Sequence, residues 1–402
     1  MFNKLNMNVT LRLKLHCSPE AEKALRETVT QYTAAFNRAT KTGWDNGTAN
    51  GFKIHFLNYK SERTQTQLPS QLVCSIFSKA SEALKSVREL QKKRDTKVGK
   101  NSKLKPKTFR CPFSKRQAIR YDGKRASMVK LKEGWANLAS VNGRQEVRFS
   151  LPNNFNRYVE WKVCVSELVL DERNRLFLHV VLDGEGNPFI PNGLVVGVDL
   201  GICRPAVMSS GDGKFNKFLG EKKWADRERR LYSYRRILQR KGTKSAKRKL
   251  KVLGGKVNRF RKECDHMLSR KLVDSVPAGT TLVFENLKDI RDRCGVGNGK
   301  AQNRRMHRWS FDRLFFMVDY KATIKGLKVA KVDPRNTSRR CSRCGLTKKS
   351  NRKDQSHFEC KSCHHTLNAD LNGARNVAQK FAVAGMPATD GCLSSNPTSP
   401  DS

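Results

Sequence analysis

Acidic residues are scarce in this chain. Only 36 Asp and Glu stand against 81 Lys and Arg in 402 residues, a formal charge of +45. Such an excess repels itself unless a polyanion neutralises it. Apolar runs long enough to span a bilayer are missing, and so is a signal-peptide pattern, so no membrane partner is expected. Hydrophobic residues reach only 37%, which suffices for several modest cores. The length is a prior for roughly two to four domains. Paired cysteines are few: eight of the twelve (Cys17, Cys74, Cys111, Cys164, Cys203, Cys264, Cys294 and Cys392) are scattered singly. Without a secretion signal they read as reduced thiols of a cytosolic protein. Nucleic acid is the remaining partner class, bound through many phosphate contacts and with strong salt dependence.

The informative acids end apolar strands. Asp199 closes Val195-Val196-Gly197-Val198, and Glu285 closes Thr281-Leu282-Val283-Phe284. Asp370 sits in a helix-like run of small residues, Asn368-Ala369-Asp370-Leu371-Asn372-Gly373-Ala374-Arg375-Asn376-Val377. Carboxylates gathered from distant strands make a divalent-metal site. Three of them without counter-charge repel, and two Mg²⁺ ions about 4 Å apart relieve that while hydrolysing phosphodiesters. On a chain this basic the simplest reading is a Mg²⁺-dependent nuclease. Asp289, Asp292 and Asp333 are alternative acids, and Asp333, before Pro334, also reads as a turn residue.

Cys341-x-x-Cys344 and Cys360-x-x-Cys363 are separated by fifteen residues. Each pair closes a tight turn on one ion, and four thiolates supply the tetrahedral shell of structural zinc. His364 and His365 read as surface residues, with replacement of a cysteine ligand as their alternative.

Periodicity organises the rest. Residues 7–16 alternate as a half-buried strand. Ser18-Pro19-Glu20 opens a helix with an N-cap, an early proline and an acid near the positive dipole end. A polar loop lies near residues 42–51. A second helix starts at Pro69-Ser70, with Val73, Ile76, Phe77, Ala80, Leu84 and Val87 at helical spacing, and residues 91–107 read as a basic linker. Asp122-Gly123 signals a hairpin turn. Strands 161–170 and 175–182 flank a turn at 171–174. Such β-rich patterns favour a barrel, which the first strand joins, making the intervening helices an insertion. Residues 184–193 read as a linker. Residues 221–274 form one long basic helical stretch interrupted at Gly254-Gly255. A loop carrying Gly295, Gly297 and Gly299 leads to a helix with Trp309, Phe311, Leu314, Phe315 and Val318. The tail from Pro387 has a disordered composition.

Taken in order, Gly197-Val198-Asp199-Leu200-Gly201, Val283-Phe284-Glu285-Asn286-Leu287, Trp309-Ser310-Phe311, Tyr320-Lys321-Ala322, Val332-Asp333-Pro334, the Thr337–Gly345 run and Asp370-Leu371-Asn372-Gly373-Ala374-Arg375-Asn376 resemble the TnpB family. These are transposon-encoded RNA-guided endonucleases related to type V CRISPR effectors. Leu68-Pro69-Ser70-Gln71 and Ile119-Arg120-Tyr121-Asp122-Gly123 extend the resemblance more loosely. It implies a multidomain α/β fold: a wedge-like β-barrel from residues 1–17 and 106–188, a helical recognition insertion at 18–105, a RuvC-like (RNase H-type) nuclease at 194–337 and 367–382, a zinc ribbon at 338–366 and a tail at 383–402. It implies Asp199, Glu285 and Asp370 as catalytic Mg²⁺ ligands. It also implies Cys341, Cys344, Cys360 and Cys363 around one structural Zn²⁺. Guide RNA and target double-stranded DNA are the implied partners, with base pairing reading sequence and the protein reading a short adjacent motif. Arg235, Arg236, Arg240, Lys244, Lys247 and Arg248 are expected on phosphates. Gln71, Ser75 and Lys79, one turn apart on one helix face, are expected at the adjacent motif, with a cap-region role as the alternative for Gln71; Tyr121 is expected to stack or contact phosphate, with sheet packing as its alternative. The implied location is the cytoplasm of a prokaryote, at the nucleoid, and a monomer is expected. The alternatives are a compact type V CRISPR effector, a guide-bound DNA-binding regulator without cleavage, and a transposase with a similar metal triad. Three departures stand out. Leu367-Asn368-Ala369 precedes Asp370 where Asp-Arg is frequent in the family. His364-His365 follows Cys363 where glycine is usual, and Gly373 replaces a common alanine.

Overall fold

The computed structural model describes residues 6–100, 108–122, 127–201, 204–287, 311–354 and 356–384. The Gly295–Gly299 loop, Trp309, Asp289, Asp292 and the tail lie outside them. The chain divides into two compact units, Asn6–Gly184 and a second beginning at Glu185.

In the first unit, strand β1 (Asn6–His16) buries Leu11, Leu13 and Leu15 while Arg12 and Lys14 stay exposed. Three helices follow, α1 (Pro19–Asp45), α2 (Gly51–Gln65) and α3 (Ser70–Lys100). Ser18 caps α1, its Oγ accepting the Ala21 N–H at 3.2 Å. Then come β2 (Ile119–Asp122), β3 (Ser127–Lys130), β4 (Trp135–Ser140), β5 (Gly143–Phe149), β6 (Lys162–Leu170) and β7 (Leu176–Glu185). They join β1 in one sheet of order β2-β6-β7-β1-β5-β4-β3. Its ends nearly meet: Ser127 Oγ on β3 lies 2.8 Å from Ser166 Oγ on β6.

Several sequence expectations change here. Asp122-Gly123 does not close a hairpin of neighbours, because β2 pairs β6 and β3 pairs β4. β2 and β3 stand instead at the two ends of the sheet order. Part of the expected loop near 42–51 is helix, since α1 runs to Asp45 and α2 starts at Gly51. α2 had little periodic signal because Phe52, Phe56 and Leu57 are exposed while Asn58 and Glu62 are buried. Glu62 is held by Arg38 of α1 through two bonds of 2.8 and 2.6 Å. The expected linker is helical to Lys100, as its Lys- and Arg-rich composition permits.

The second unit is built on a sheet of order β10-β9-β8-β11-β12. β8 (Val195–Asp199), β9 (Ala206–Ser210) and β10 (Asn216–Leu219) form an antiparallel meander, while β11 (Thr281–Glu285) runs parallel to β8 and to β12 (Lys328–Val332). Alternate residues face opposite ways. Val196, Val198, Leu282 and Phe284 pack on Leu268 and Leu272 of α5 (Lys244–Asp274) and on Leu314 and Val318 of α6 (Phe311–Lys325). The other face receives α7 (Ala369–Ala384). A Cβ at Gly197 would lie 2.0 Å from Ala374 O and 2.6 Å from Ala378 N, so glycine alone lets this helix lie on the strand.

The basic stretch is two helices. α4 (Lys222–Lys241) stops at Gly242, whose φ is 63°, and α5 restarts under a Thr243 cap that accepts the Ala246 N–H at 3.2 Å. The break is therefore at residues 242–243, and Gly254-Gly255 lies inside unbroken α5. Leu238, Ala246, Leu253 and Val257 form the seam between the two helices. A short hairpin, β13 (His357–Glu359) with β14 (Thr366–Asn368), completes the unit.

Candidate active site

The register of β8 and β11 pairs Val198 with Phe284. Asp199 and Glu285 thus follow at one level on adjacent parallel strands, whose backbones run about 4.8 Å apart. Asp370 arrives from the first turn of α7. Asn368 starts that helix, its Oδ1 accepting the N–H groups of Asp370 at 3.2 Å and Leu371 at 3.3 Å. Asn368 thus caps the helix that carries the acid.

The three acids are electrostatically linked. Asp199 holds its proton well above the usual carboxylate range, first through burial and then through the negative charges of Glu285 and Asp370. Burial also raises Glu285 and Asp370. Arg352 opposes the rise at all three, Lys380 at Glu285 and Arg204 at Asp370. Arg352 Nη2 lies 3.7 Å from Asp370 Oδ1. Thr337 donates to Glu285 Oε1 at 2.5 Å. The carboxylate oxygens are spread more widely than the sulfurs described below, for only those sulfurs form a group of potential ligand atoms within 4.8 Å of one another among the described residues. A partly accessible cluster of oxygen donors, buried enough to resist ionising and sharing one sign of charge, fits a hard divalent cation such as Mg²⁺. Asp333 does not join it. It is exposed and accepts the Arg335 N–H at 3.1 Å in a turn.

Cys341, Cys344, Cys360 and Cys363 meet at a second point. The Cys341–Cys363 and Cys344–Cys360 sulfur distances are 3.7 and 3.5 Å, against about 3.8 Å for ligands 2.3 Å from a tetrahedral zinc. Cys341 is pushed up to about 12, foremost by burial. Cys360 is drawn down to about 6, burial opposing while the Cys363 and Ser362 amides and the neighbouring thiols lower it. The donor set therefore fits a soft tetrahedral ion. Neither histidine belongs to the group. His364 instead takes a left-handed φ of 52°, as Gly345 does at 81° after the first cysteine pair, so it stands where glycine is favoured. Buried Asn351 ties the two turns together, donating to Arg339 O and Leu346 O and accepting the Lys361 N–H, each at 3.1 Å.

Sequence reasoning missed the residues that join the cysteine unit to the acids. Asn372 donates to Arg340 O at 2.8 Å and accepts the Ser342 N–H at 3.0 Å. Asn376 donates to Thr337 O at 2.8 Å and Arg340 O at 2.7 Å. Both asparagines are buried. The signal was their spacing of four on the helix that carries Asp370.

Three of the residues expected to read the adjacent motif or to contact nucleic acid beside it are turned inward. Tyr121 is fully buried and donates to Ala139 O at 3.1 Å. Ser75 is buried against Tyr32 Oη at 2.8 Å. Lys79 is buried and paired with Glu167 at 2.9 Å. Gln71 donates to Asp122 O. Gln71, Ser75 and Lys79 do share one helix face, but that face packs on the sheet. Arg235, Arg236, Arg240, Lys244, Lys247 and Arg248 are all exposed on the α4–α5 hairpin.

Strand-end carboxylates on a mixed α/β sheet, beside a four-cysteine cluster that could hold a metal ion, define this unit as an α/β fold. Comparison with known proteins narrows that class. Residues 179–291 match a family described as a probable transposase (OrfB_IS605), and residues 311–377 match the family described as Cas12f1-like, TNB domain. The CRISPR-associated endodeoxyribonuclease Cas12f1 of Sulfoacidibacillus thermotolerans is 30% identical over 234 residues, 54% of each chain. A TnpB-like protein of Methanocaldococcus jannaschii is 31% identical over 144 residues, 34% of this chain and 50% of that one. The fold is similar to the cryo-EM structure of a Cas12f1-sgRNA-target DNA complex, with TM-score 0.58, 14% identity, and coverage of 94% of this chain and 99% of that one. The chain is a relative of the TnpB-like and type V Cas12f proteins. It spans about half the length of the curated relatives it matches. No described helix is long and apolar enough to cross a membrane.

Proposed function

We propose that the protein is an RNA-guided, Mg²⁺-dependent DNA endonuclease of the TnpB type. Its second unit is read as a RuvC-like nuclease, residues 338–366 as a zinc ribbon, and its first unit as a wedge-like barrel with a helical recognition insertion. The observation that carries this reading is that Asp199 and Glu285, far apart in sequence, end adjacent parallel strands at one level while Asp370 comes from the first turn of the helix packed on β8. The names of the relatives support the chemistry, and the sgRNA–DNA complex named for the similar fold supports the partners.

Asp199, Glu285 and Asp370 would hold two Mg²⁺ ions, and Cys341, Cys344, Cys360 and Cys363 one Zn²⁺. Magnesium bound there supplies activation of water and stabilisation of the leaving 3′ oxygen. Thr337 orients Glu285 through its short hydrogen bond. Arg352 offsets the charge of Asp370. The exposed cations of the α4–α5 hairpin follow RNA or heteroduplex phosphates, while base pairing selects the target.

The test is Asp199→Ala, assayed for plasmid cleavage and for guided DNA binding by gel shift. Cleavage is lost and binding kept. Surviving cleavage would overturn the assignment.

A further inference from the structure

Resting on the nuclease reading, we propose that Gly373 is a positioning residue that fixes the Asp199 carboxylate by leaving it room. Gly373 is buried in α7, three residues after Asp370 and on the same side of the helix. A Cβ built there meets Asp199 first: Oδ2 at 2.9 Å, then Cγ at 3.4 Å and Cβ at 3.8 Å. A carbon 2.9 Å from an oxygen forces one of them to move. Gly197 meets a different obstacle, the α7 backbone at Ala374 O and Ala378 N, which moves only if the helix lifts. At Gly373 the obstructing atom is the end of a short side chain. Alanine there would therefore relocate Oδ2 and leave the fold in place.

The helix carries a cost for this. A glycine inside a helix is less favourable than alanine, yet this one sits beside the most perturbed carboxylate of the site. α7 thus acts twice on the acids, bringing Asp370 from its first turn and clearing a place for Asp199 one turn later.

The contact and the chemistry are tested separately. Thermal unfolding of the full chain with its guide RNA, in magnesium-free, zinc-replete buffer, is compared for wild type, G373A, D199A and the double variant. In the D199A background the obstruction is gone, and alanine raises Tm by about 2–4 °C, the helix-propensity gain for a unit this size. In wild type it gives no gain or a loss. Equal gains in both backgrounds overturn the proposal, as does failure of both G373A proteins to fold. A G373A that unfolds while the double variant folds supports it. Magnesium is then titrated against Tm and against cleavage. Both midpoints rise about tenfold in G373A, the low end of what losing an outer support of a metal ligand costs, and cleavage returns at saturating magnesium. Unchanged midpoints overturn the proposal. Cleavage by D199A would instead overturn the nuclease reading while leaving the unfolding comparison intact.

Discussion

Thr337→Val removes one proton donor and almost nothing else. Thr337 is buried, and its Oγ1 lies 2.5 Å from Glu285 Oε1 and 2.9 Å from Pro334 O. One hydroxyl proton serves one acceptor at a time, and the ionised carboxylate is the stronger. A hydrogen bond to a charged group is worth about 1.5–3 kcal/mol. Its loss raises Glu285 further, because the carboxylate loses the bond that most favours its charged form. The direction follows from the surroundings: burial already raises this acid, and the Thr337 bond is the largest influence lowering it. Cleavage requires ionised Glu285, so activity at the acid end is lost sooner as pH falls. Single-turnover cleavage against pH, at saturating guide and target, shows the acid limb displaced to higher pH with the alkaline plateau retained. An acid limb that stays put refutes the reasoning. So does a rate depressed equally at every pH, which would place Thr337 in folding rather than in tuning Glu285.

Three more outcomes follow from the same geometry. Asp199 is raised by burial and by Glu285 and Asp370, so the folded state is penalised once pH exceeds the unfolded value of about 3.9. Asp199→Asn should raise Tm of the magnesium-free protein at pH 7, with the gain fading toward pH 4, and a lowered Tm at pH 7 would contradict this. Cys344→Ser should take bound zinc from about one per chain to none and open residues 338–366 to protease, and an unchanged metal content would reject the cluster as a zinc site. Replacing Arg236, Arg240, Lys247 and Arg248 by alanine should lower the slope of log Kd against log salt by about 0.7–0.9 for each phosphate no longer neutralised. A slope equal to wild type would leave the hairpin without its assigned role.

What could be read directly from the chain was local chemistry and period. Asp199 and Glu285 end short apolar runs because strands of a covered sheet are apolar up to their rim, and the sheet registers them at one level. The cysteine spacing gave the four-thiol group because each pair needs only its own turn. Periodicity likewise showed that Gln71, Ser75 and Lys79 share a helix face. It could not show which way that face looks. The partners that decided the question, Tyr32, Asp122 and Glu167, lie 43 to 88 positions from them. For the same reason Asp122-Gly123 reads as a hairpin turn although β2 and β3 do not pair: a turn signal reports local chain chemistry, while strand pairing in a barrel-like sheet is set by the whole strand order. The break at Gly242-Thr243 prevailed over Gly254-Gly255 because an apolar seam along α5 keeps two mid-helix glycines helical. Arg352, Thr337, Asn372 and Asn376 became part of the site only once α7 was laid on Gly197. Their roles depend on contacts between elements, which a linear pattern does not carry.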